Sequence, residues 1–557
     1  MKARLAFASL FTLGMLCAFV GTILLLAMYW GGRINGVMLI ALTILVNVVS
    51  WLVSPFFQDL VLRYFYSCET VEWAEFLRRW PNLARVVQTT CARHKIQVPA
   101  MRIIDDGNPT AYCFGSGSWN ARLVATKGLF RYLNEEEVAA VYCHELGHIS
   151  NGDFVVMTMA ATLCTLLYEL YVIFTRSKGK SDKKGQLVWV GYVSYIFYII
   201  ATYLVLYLSR TREYLADRFS AEATQNPNAL AMGLVKVAYG IAAAPDTEKS
   251  KRLLASTRAL GIYDYKVADT TGGAYARLFA EEGGVAVAGG SAQPEGRATH
   301  VERVFLFDLF NPWAKIGEFN STHPLTGKRI RRLMEYCQEF GVAPHYDFSL
   351  ASYEGQMLDR GRLYKNFAFE VGIYFGAWIG FALGLVAAYV SATPQAIFAP
   401  LLGLGLGWSL KGLYGFPGGK AEPTTVFELM CDPYASPVRG RLVYLEGAVI
   451  GRAHAGSPLG EDMMIQDKSG GLITLNYESW FPVLGNLWFG WKKVKNLMDQ
   501  PCAAFGWFRR YTVAWVDLSK LNAVTGSIES YTRFWGLYRG PLFIILALLL
   551  MAAVRFS

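Results

Sequence analysis

The chain has 557 residues, of which 53% are hydrophobic and only 17% are charged, and its mean hydropathy is +0.27. This composition excludes a disordered chain and is unusual for a soluble protein, so we predict a membrane protein of several domains. The net charge of +10 suits anionic lipid head groups as well as nucleic acid, and does not choose between them. The nine cysteines contain no CxxC pair, which argues against a disulfide framework or a thiolate metal cage and predicts a reducing compartment.

Apolar runs that contain no charged residue except Glu169 predict the membrane helices. They predict three helical hairpins. The first two are pairs of runs, residues 5–30 with 34–57 and residues 154–174 with 187–209. The third is one stretch, residues 371–410, that turns back near Pro394. A last run, 540–554, has 15 residues. At about 1.5 Å per residue it falls short of a hydrocarbon core of about 30 Å unless flanking arginines reach the interface, so its length leaves both outcomes open.

The distribution of positive charge predicts the orientation. Lys2 and Arg4 precede the first run, whereas only Arg33 lies in the link to the second, so we expect a cytoplasmic N-terminus. Each hairpin then returns the large polar segments to the cytoplasmic face. The loop 176–184 opposes this topology, because its five basic residues would lie outside.

Residues 134–149 hold the first candidate chemical groups. Asn134 caps a run with glutamates in its first turn and good helix formers after it, which predicts a helix. His144 and His148 leave the same face and can hold one cation, while Glu145 points about 100° away. This HExxH spacing predicts a catalytic zinc site with one position open for water, whose proton the adjacent carboxylate can accept. The alternative is a structural helix with a satisfied histidine pair.

A third ligand must come from elsewhere in the chain. In the helix-compatible run 209–221, Glu213 and Asp217 share a face. We predict that Glu213 completes the metal site and that Asp217 holds a ring nitrogen of a ligating histidine. The alternative is a set of surface ion pairs with Arg210 and Arg212.

Three sequence blocks together resemble the HtpX and CAAX prenyl endopeptidase family of membrane zinc peptidases. They are HELGHI with NGD at 144–153, SRTREYLAD at 209–217, and STHP with RI at 321–330. The resemblance covers roughly residues 1–340, including the hairpin between the first two blocks. It implies a gluzincin-type endopeptidase with one zinc per chain, in which Glu213 is the glutamate ligand, His323 steadies the oxyanion and Arg329 is structural. The alternative for His323 is a turn cap before Pro324.

The same resemblance implies a substrate and a location. The protein would cleave membrane or membrane-near polypeptides, as in membrane-protein quality control, at the cytoplasmic face of a bacterial inner membrane. The substrate backbone would pair by β-augmentation with a strand formed by Thr110, Ala111, Tyr112, Cys113 and Phe114. Thr110 stands where the family usually has an asparagine, which affects subsite preference and not the metal chemistry.

Residues 436–522 have a different character from the rest of the chain. The runs 441–451, 463–475 and 507–518 read as strands with glycine turns and favour a small closed β-barrel similar to an OB fold. Such a barrel with Arg509 and Arg510 could bind single-stranded nucleic acid. The same residues suit a barrel that packs on a membrane or recruits substrate, and we do not expect a nucleic-acid partner.

We therefore predict a mainly α membrane protein with a helical zincin-type catalytic domain, a small β edge and a C-terminal all-β, OB-like module. The catalytic domain is split by the second hairpin, and its second part contains a mobile loop at 268–300. The predicted segments are a transmembrane hairpin at 1–57, the first catalytic part at 58–153, a hairpin at 154–209, the second catalytic part at 210–370, a hairpin at 371–410, the β module at 411–533 and an apolar segment at 534–557.

Two functions compete for this sequence. One is a zinc endopeptidase, in which Glu145 takes a proton from the attacking water and delivers it to the leaving amine. The other is a non-catalytic membrane scaffold whose zinc joins helices and whose β module binds a partner. A structural zinc site would need a fourth protein ligand and no Glu145, which favours the enzyme. Substrate identity, cleavage preference and oligomeric state do not follow from the sequence.

Overall fold

The computed structural model describes residues 36–176, 184–243, 302–348, 358–452, 460–498 and 500–556. The first predicted membrane run and the predicted mobile loop at 268–300 lie outside these residues. The described part is mainly helical and ends in a β-barrel, as the sequence predicts.

Helices and a small sheet build the first half of the chain. Its elements in order are α1 (Gly36–Phe65), β1 (Cys68–Val71), α2 (Trp73–Arg79), α3 (Pro81–His94), β2 (Ala100–Ile104), β3 (Ala111–Phe114), β4 (Arg122–Thr126), α4 (Lys127–Tyr132), α5 (Glu135–Ser150), α6 (Asp153–Arg176), α7 (Lys184–Thr224), α8 (Pro227–Ala243), α9 (Glu302–Phe310), α10 (Pro312–Phe319) and α11 (Thr326–Glu339). Their apolar faces share one core, which contains Phe76, Leu123, Val141, Leu230 and Ile330. Because α5 lies inside this core, twelve of its sixteen residues are buried.

The small sheet covers one side of α5. Its strand order is β1, β2, β4, β3, with β2 and β4 parallel and the other pairs antiparallel. Strand β3 is therefore an edge strand. Its Cys113 Sγ lies 3.5 Å from the backbone carbonyl of Glu145, so this edge runs directly along the helix that carries the HExxH residues.

Five helical segments in the described ranges are long and apolar enough to cross a membrane. They are Asp153–Val172, Val188–Thr224, Arg360–Ser391, Pro394–Gly415 and Thr532–Arg555. The first four correspond to the second and third predicted hairpins. Helix α1, which covers the second run of the first predicted hairpin, is not among the five.

Two of these helices differ from the sequence-based expectation in length. Helix α7 has 41 residues, and since about 20 residues cross a hydrocarbon core, its last third extends beyond it as part of the catalytic half. The last apolar segment belongs to a 25-residue helix, α16 (Thr532–Phe556). It is long enough to span because the helix starts eight residues before Gly540, and Arg539 within it lies over the ring of Trp408.

The third hairpin consists of α12 (Arg360–Ser391) and α13 (Ala399–Gly415). The two helices pack against each other at glycine residues. Gly376, Gly380 and Gly384 are spaced by four residues and lie on one face of α12. A Cβ atom at Gly380 would overlap the carbonyl oxygen of Gly403, and one at Gly384 would overlap that of Ala399. Small residues at this spacing let membrane helices approach closely and gain van der Waals contact.

The C-terminal module is a closed barrel of five strands. After two short elements, β5 (Glu422–Pro423) and α14 (Val426–Met430), come β6 (Arg441–Arg452), β7 (Met463–Asp467), β8 (Leu472–Asn476), α15 (Leu484–Lys492), β9 (Pro501–Arg510), β10 (Ala514–Ala523) and the hairpin strand β11 (Gly526–Glu529). The pairing runs β6, β7, β8, β10, β9 and back to β6, with β8 and β10 parallel. This confirms the predicted small barrel.

Arg509 and Arg510, which suggested nucleic-acid binding, point into the protein interior instead of toward solvent. Arg509 forms an ion pair with Asp517 and donates to the carbonyl of Gly415 at 2.9 Å. Arg510 donates to the carbonyls of Met430 and Val304. Both side chains are buried. Through these contacts Arg509 joins the barrel to the third membrane hairpin, and Arg510 joins it to the catalytic half.

We expect Gly380→Ala to destabilise the protein by about 1–3 kcal/mol, because the new methyl group would force α12 and α13 apart. The measurement is thermal unfolding of the purified chain in detergent. Gly372→Ala is the matched control, since a Cβ at Gly372 meets no atom within 4 Å and should leave the unfolding temperature unchanged or slightly raised. Equal unfolding temperatures for the two variants would contradict close packing at Gly380.

Candidate metal centre

Local sequence determines where helix α5 begins. The side chain of Asn134 accepts from the backbone N–H of Glu137 at 2.9 Å, and the Glu137 carboxylate accepts from the N–H of Asn134 at 2.9 Å. This capping box satisfies two of the free N–H groups at the helix start. Ten residues into the helix, His144 and Glu145 are completely buried, whereas the side chain of His148 is 15% exposed.

Helix α7 crosses α5 at a glycine. A Cβ atom at Gly147 would lie 3.0 Å from the Cα of Ala216, so no larger residue fits there without a shift. The hydroxyl of Ser220 donates to the carbonyl of Ala140 at 2.6 Å and ties the two helices together one turn further on. Glu213 lies one turn before Ala216 and therefore faces the two histidines.

The structure brings the three predicted ligands together. The Nε2 atoms of His144 and His148 are 3.2 Å apart, and each lies 3.6 Å from an oxygen of Glu213. Atoms bound tetrahedrally to one zinc ion at about 2.0–2.2 Å lie about 3.3–3.6 Å from one another. The observed distances therefore fit a zinc ion held by these three side chains.

The contacts of the two Nδ1 atoms point to the same conclusion. His144 Nδ1 lies 3.0 Å from Asp217, and His148 Nδ1 lies 2.6 Å from Asp153. Because an ionised carboxylate only accepts, a neutral imidazole beside it carries its proton on Nδ1 and has a lone pair on Nε2. In that state two lone pairs and the Glu213 carboxylate face one another. Such a group of acceptors attracts a cation, either a proton or a metal ion.

Charged partners hold Asp217 in place. Arg329 donates to its two carboxylate oxygens at 2.9 and 2.6 Å and also approaches Glu213 at 3.3 Å. Burial would lower the pKa of Arg329, but Asp217 and Glu213 raise it above its ordinary value, so the guanidinium stays charged. Burial would likewise lower the pKa of His144, yet contacts with Asp217 and Glu213 raise it. The surroundings therefore stabilise positive charge at this position.

Asp153 is the site residue that sequence reasoning missed. It lies five residues after His148, just past the end of α5, accepts from that histidine and forms an ion pair with Arg212. The same arginine donates to the carbonyl of Asn151 at 2.6 Å. Each histidine thus has its own aspartate and each aspartate its own arginine. The motif Asn151-Gly152-Asp153 was visible in the sequence, but its spacing alone does not show that the chain turns back toward His148.

Glu145 has the environment of a reactive group. Its carboxylate is 1% exposed, and neither of its oxygens has a hydrogen-bond partner among the described residues. A buried carboxylate without a donor is costly and indicates a partner that binds there, such as water or substrate. The neighbouring thiol is no competitor as a metal ligand, because burial and the charge of Glu145 raise the pKa of Cys113 well above its ordinary value.

The remaining predicted site residues lie close by. His323 Nδ1 is 3.4 Å from Glu213 Oε1, and its backbone N–H donates to the hydroxyl of Ser321 at 3.2 Å. The side chains of the predicted substrate strand are buried, and Thr110 joins β3 to β4 through contacts with Thr126. No strand in the described ranges pairs with the outer edge of β3.

The arrangement agrees with the protein family that the sequence matches. Residues 78–337 match the model of peptidase family M48. A protease HtpX homolog of Pyrococcus abyssi is 33% identical over 338 residues, which cover 59% of this chain and 96% of the relative. The chain belongs to peptidase family M48.

Two further proteins are similar to parts of this chain. A protease HtpX homolog of Methanothermobacter thermautotrophicus is 32% identical over 34% of this chain and 68% of the relative. A crystal structure of S. mikatae Ste24p aligns over 42% of this chain and 59% of that one, with 16% identity and a TM-score of 0.29. M48 peptidases are zinc metalloproteases, so family membership and the apolar helices together indicate a membrane metalloprotease.

We expect Asp153→Asn to weaken zinc binding by about 10–100-fold, because the amide cannot hold the Nδ1 proton of His148 as firmly. The measurement is competition for zinc against a chelator of known affinity. Asp517→Asn is the matched control: Asp517 is also buried and paired with an arginine, but lies in the barrel. Zinc affinity equal to that of the unmodified chain would show that Asp153 does not orient His148.

Proposed function

We propose that this M48 protein is an integral-membrane zinc endopeptidase that hydrolyses peptide bonds of membrane or membrane-near proteins. The observation that carries the proposal is the convergence of three acceptor ligands beside a buried glutamate, Glu145, whose oxygens meet no donor in the part of the chain that the structure describes. His144, His148 and Glu213 would hold one zinc per chain. Three protein ligands leave a position for water or substrate, as in catalytic zinc sites.

Different side chains of the protein would then perform different steps of the hydrolysis. A zinc ion at this site supplies Lewis acidity and makes water more acidic. Glu145 accepts the proton of the attacking water and passes it to the leaving amine, which requires a carboxylate that no protein donor already occupies. Asp153 and Asp217 hold the imidazoles in the tautomer that keeps both Nε2 lone pairs available.

His323 is proposed to donate a hydrogen bond to the carbonyl oxygen as negative charge develops on it. Its place beside Glu213 supports this role over a simple turn cap before Pro324. The substrate backbone is proposed to pair with the outer edge of β3, from Thr110 to Phe114. The support is the edge position of that strand and the contact of Cys113 with the backbone of Glu145.

We propose a zincin-type helical catalytic domain split by the α6–α7 hairpin, facing the cytoplasm of a bacterial inner membrane, with a role in membrane-protein quality control. The barrel has an OB-like strand order, with a helix between its third and fourth strands. A scaffold with structural zinc is the weaker alternative, because it gives no reason to bury Glu145 without a partner.

We expect Glu145→Gln to lower the rate of peptide-bond hydrolysis by at least about 10²–10⁴-fold, since the amide cannot accept a proton. The assay is cleavage of an unstructured membrane-protein substrate, with zinc content measured on the same sample. Glu136→Gln is the matched control, because Glu136 lies in the exposed first turn of the same helix. Full turnover in Glu145→Gln with zinc retained would refute the general-base role of Glu145 and would favour the scaffold with structural zinc.

We expect His323→Ala to lower kcat by about 10²–10³-fold while zinc content stays the same, because alanine has no side-chain donor and an oxyanion donor acts only as charge develops. His345→Ala, at an exposed position outside the metal centre, controls for the loss of a histidine. An unchanged kcat would show that His323 only caps the turn before Pro324. Loss of zinc in His323→Ala would instead show that the residue only positions Glu213.

A further inference from the structure

Helix α15 of the barrel has its apolar face turned outward. Leu484, Leu487, Trp488 and Trp491 follow the spacing i, i+3, i+4, i+7 and all are exposed, with Leu484 at 77%. The preceding loop adds three large exposed apolar side chains: Trp480, Phe481 and Val483. We call these seven residues the aromatic patch. A soluble barrel would place polar residues here, and a continuous exposed apolar surface marks an interaction site.

The opposite face of α15 is already committed to the barrel. Phe489 stacks on Tyr477 with ring centroids 3.8 Å apart. Asn486 donates to the carboxylate of Glu478 at 2.9 Å and accepts from the backbone N–H of Ser479 at 2.7 Å. These buried contacts fix the helix on the barrel, so the aromatic patch cannot turn inward to cover itself.

The aromatic patch continues into the start of a candidate membrane helix. The ring of Trp480 lies 4.7 Å from that of Phe534 and 5.2 Å from that of Tyr531, at the beginning of α16. The indole N–H of Trp535 donates to the carbonyl of Ser479 at 3.1 Å. Tryptophan and tyrosine gather where membrane proteins meet the head groups, and the patch shares one aromatic cluster with the end of this helix.

Positive charge borders the aromatic patch. Lys492, Lys493 and Lys495 are exposed at its C-terminal end, and no carboxylate among the described residues forms an ion pair with them. Lys492 and Lys493 each lie within 6 Å of the ring of Trp488, at 5.7 and 5.6 Å. An apolar helix face with lysines at its rim is the pattern of helices that lie in the interface of anionic membranes.

We propose that the aromatic patch is a membrane anchor of the barrel: α15 lies in the head-group region of the bilayer that α16 spans, with its three lysines on anionic phospholipids. The barrel is then held on the membrane from two sides, by α16 and by α15. Because Arg510 and the β9–β10 turn contact α9 and α10, this anchor also sets the height of the catalytic half above the bilayer.

The test is hydrophobic photolabelling of the full chain in vesicles of phosphatidylcholine and phosphatidylglycerol. A lipid-soluble carbene precursor is activated, and labelled peptides are identified by mass spectrometry. We expect label on residues 480–491 and on α16, and only background label on the β7–β8 turn at 467–471, which lies at the other end of strand β8 from the patch. Background label on 480–491 would overturn the proposal, whether water, a second copy or another protein covers the patch.

Variants and lipid composition make the result specific. Trp488→Glu with Trp491→Glu should lower the label on the patch peptide severalfold while the label on α16 stays constant, because both side chains are exposed and their loss leaves the barrel core intact. Val524→Glu, at an exposed apolar position on the β10–β11 turn, is the matched control and should leave the patch label unchanged. In vesicles of phosphatidylcholine alone we expect weaker patch labelling, and equal labelling would refute the role given to the lysines.

Discussion

The close crossing of α5 and α7 is the constraint on which the rest of the catalytic half depends. Two histidines on one helix provide only two ligand atoms, and the third must come from a helix near enough for a glutamate to reach them. Gly147 permits this approach, because a side chain there would meet the backbone of Ala216. Helix α7 is also one of the five helices long and apolar enough to cross a membrane, so the third ligand lies on a candidate membrane helix.

Several charged side chains are buried at this crossing, and each needs a partner of opposite charge. Glu213, Asp217 and Asp153 bring three negative charges into the core, and Arg329 and Arg212 bring two positive ones. The guanidinium groups pair with the two aspartates, and each aspartate also contacts one of the two histidines. Of these carboxylates, only Glu213 has no arginine of its own, and it lies between the two Nε2 atoms, where a bound metal ion would balance its charge.

The barrel joins the membrane and catalytic parts of the molecule. Arg509 reaches the end of α13, and Arg510 reaches helix α9, so one strand contacts both regions. Helix α13, which packs on α12 through glycines, also contacts α16, where a Cβ at Gly405 would come within 2.9 Å of the Gly540 carbonyl. Three membrane helices and the barrel therefore form a connected body, which limits how far the catalytic half can move relative to the bilayer.

Local patterns determined much of this protein from sequence alone. The cap at Asn134, the helix that carries His144 and His148, the apolar runs of the second and third hairpins and the strand-forming segments each depend on residues within a few turns of one another, which is why they were predicted correctly. Only the tertiary structure decided that Asp153 returns to His148, that Arg510 faces inward, and that α15 turns its tryptophans outward. Those outcomes depend on contacts between residues far apart in the chain, and periodicity along one segment carries no information about which neighbour covers each face.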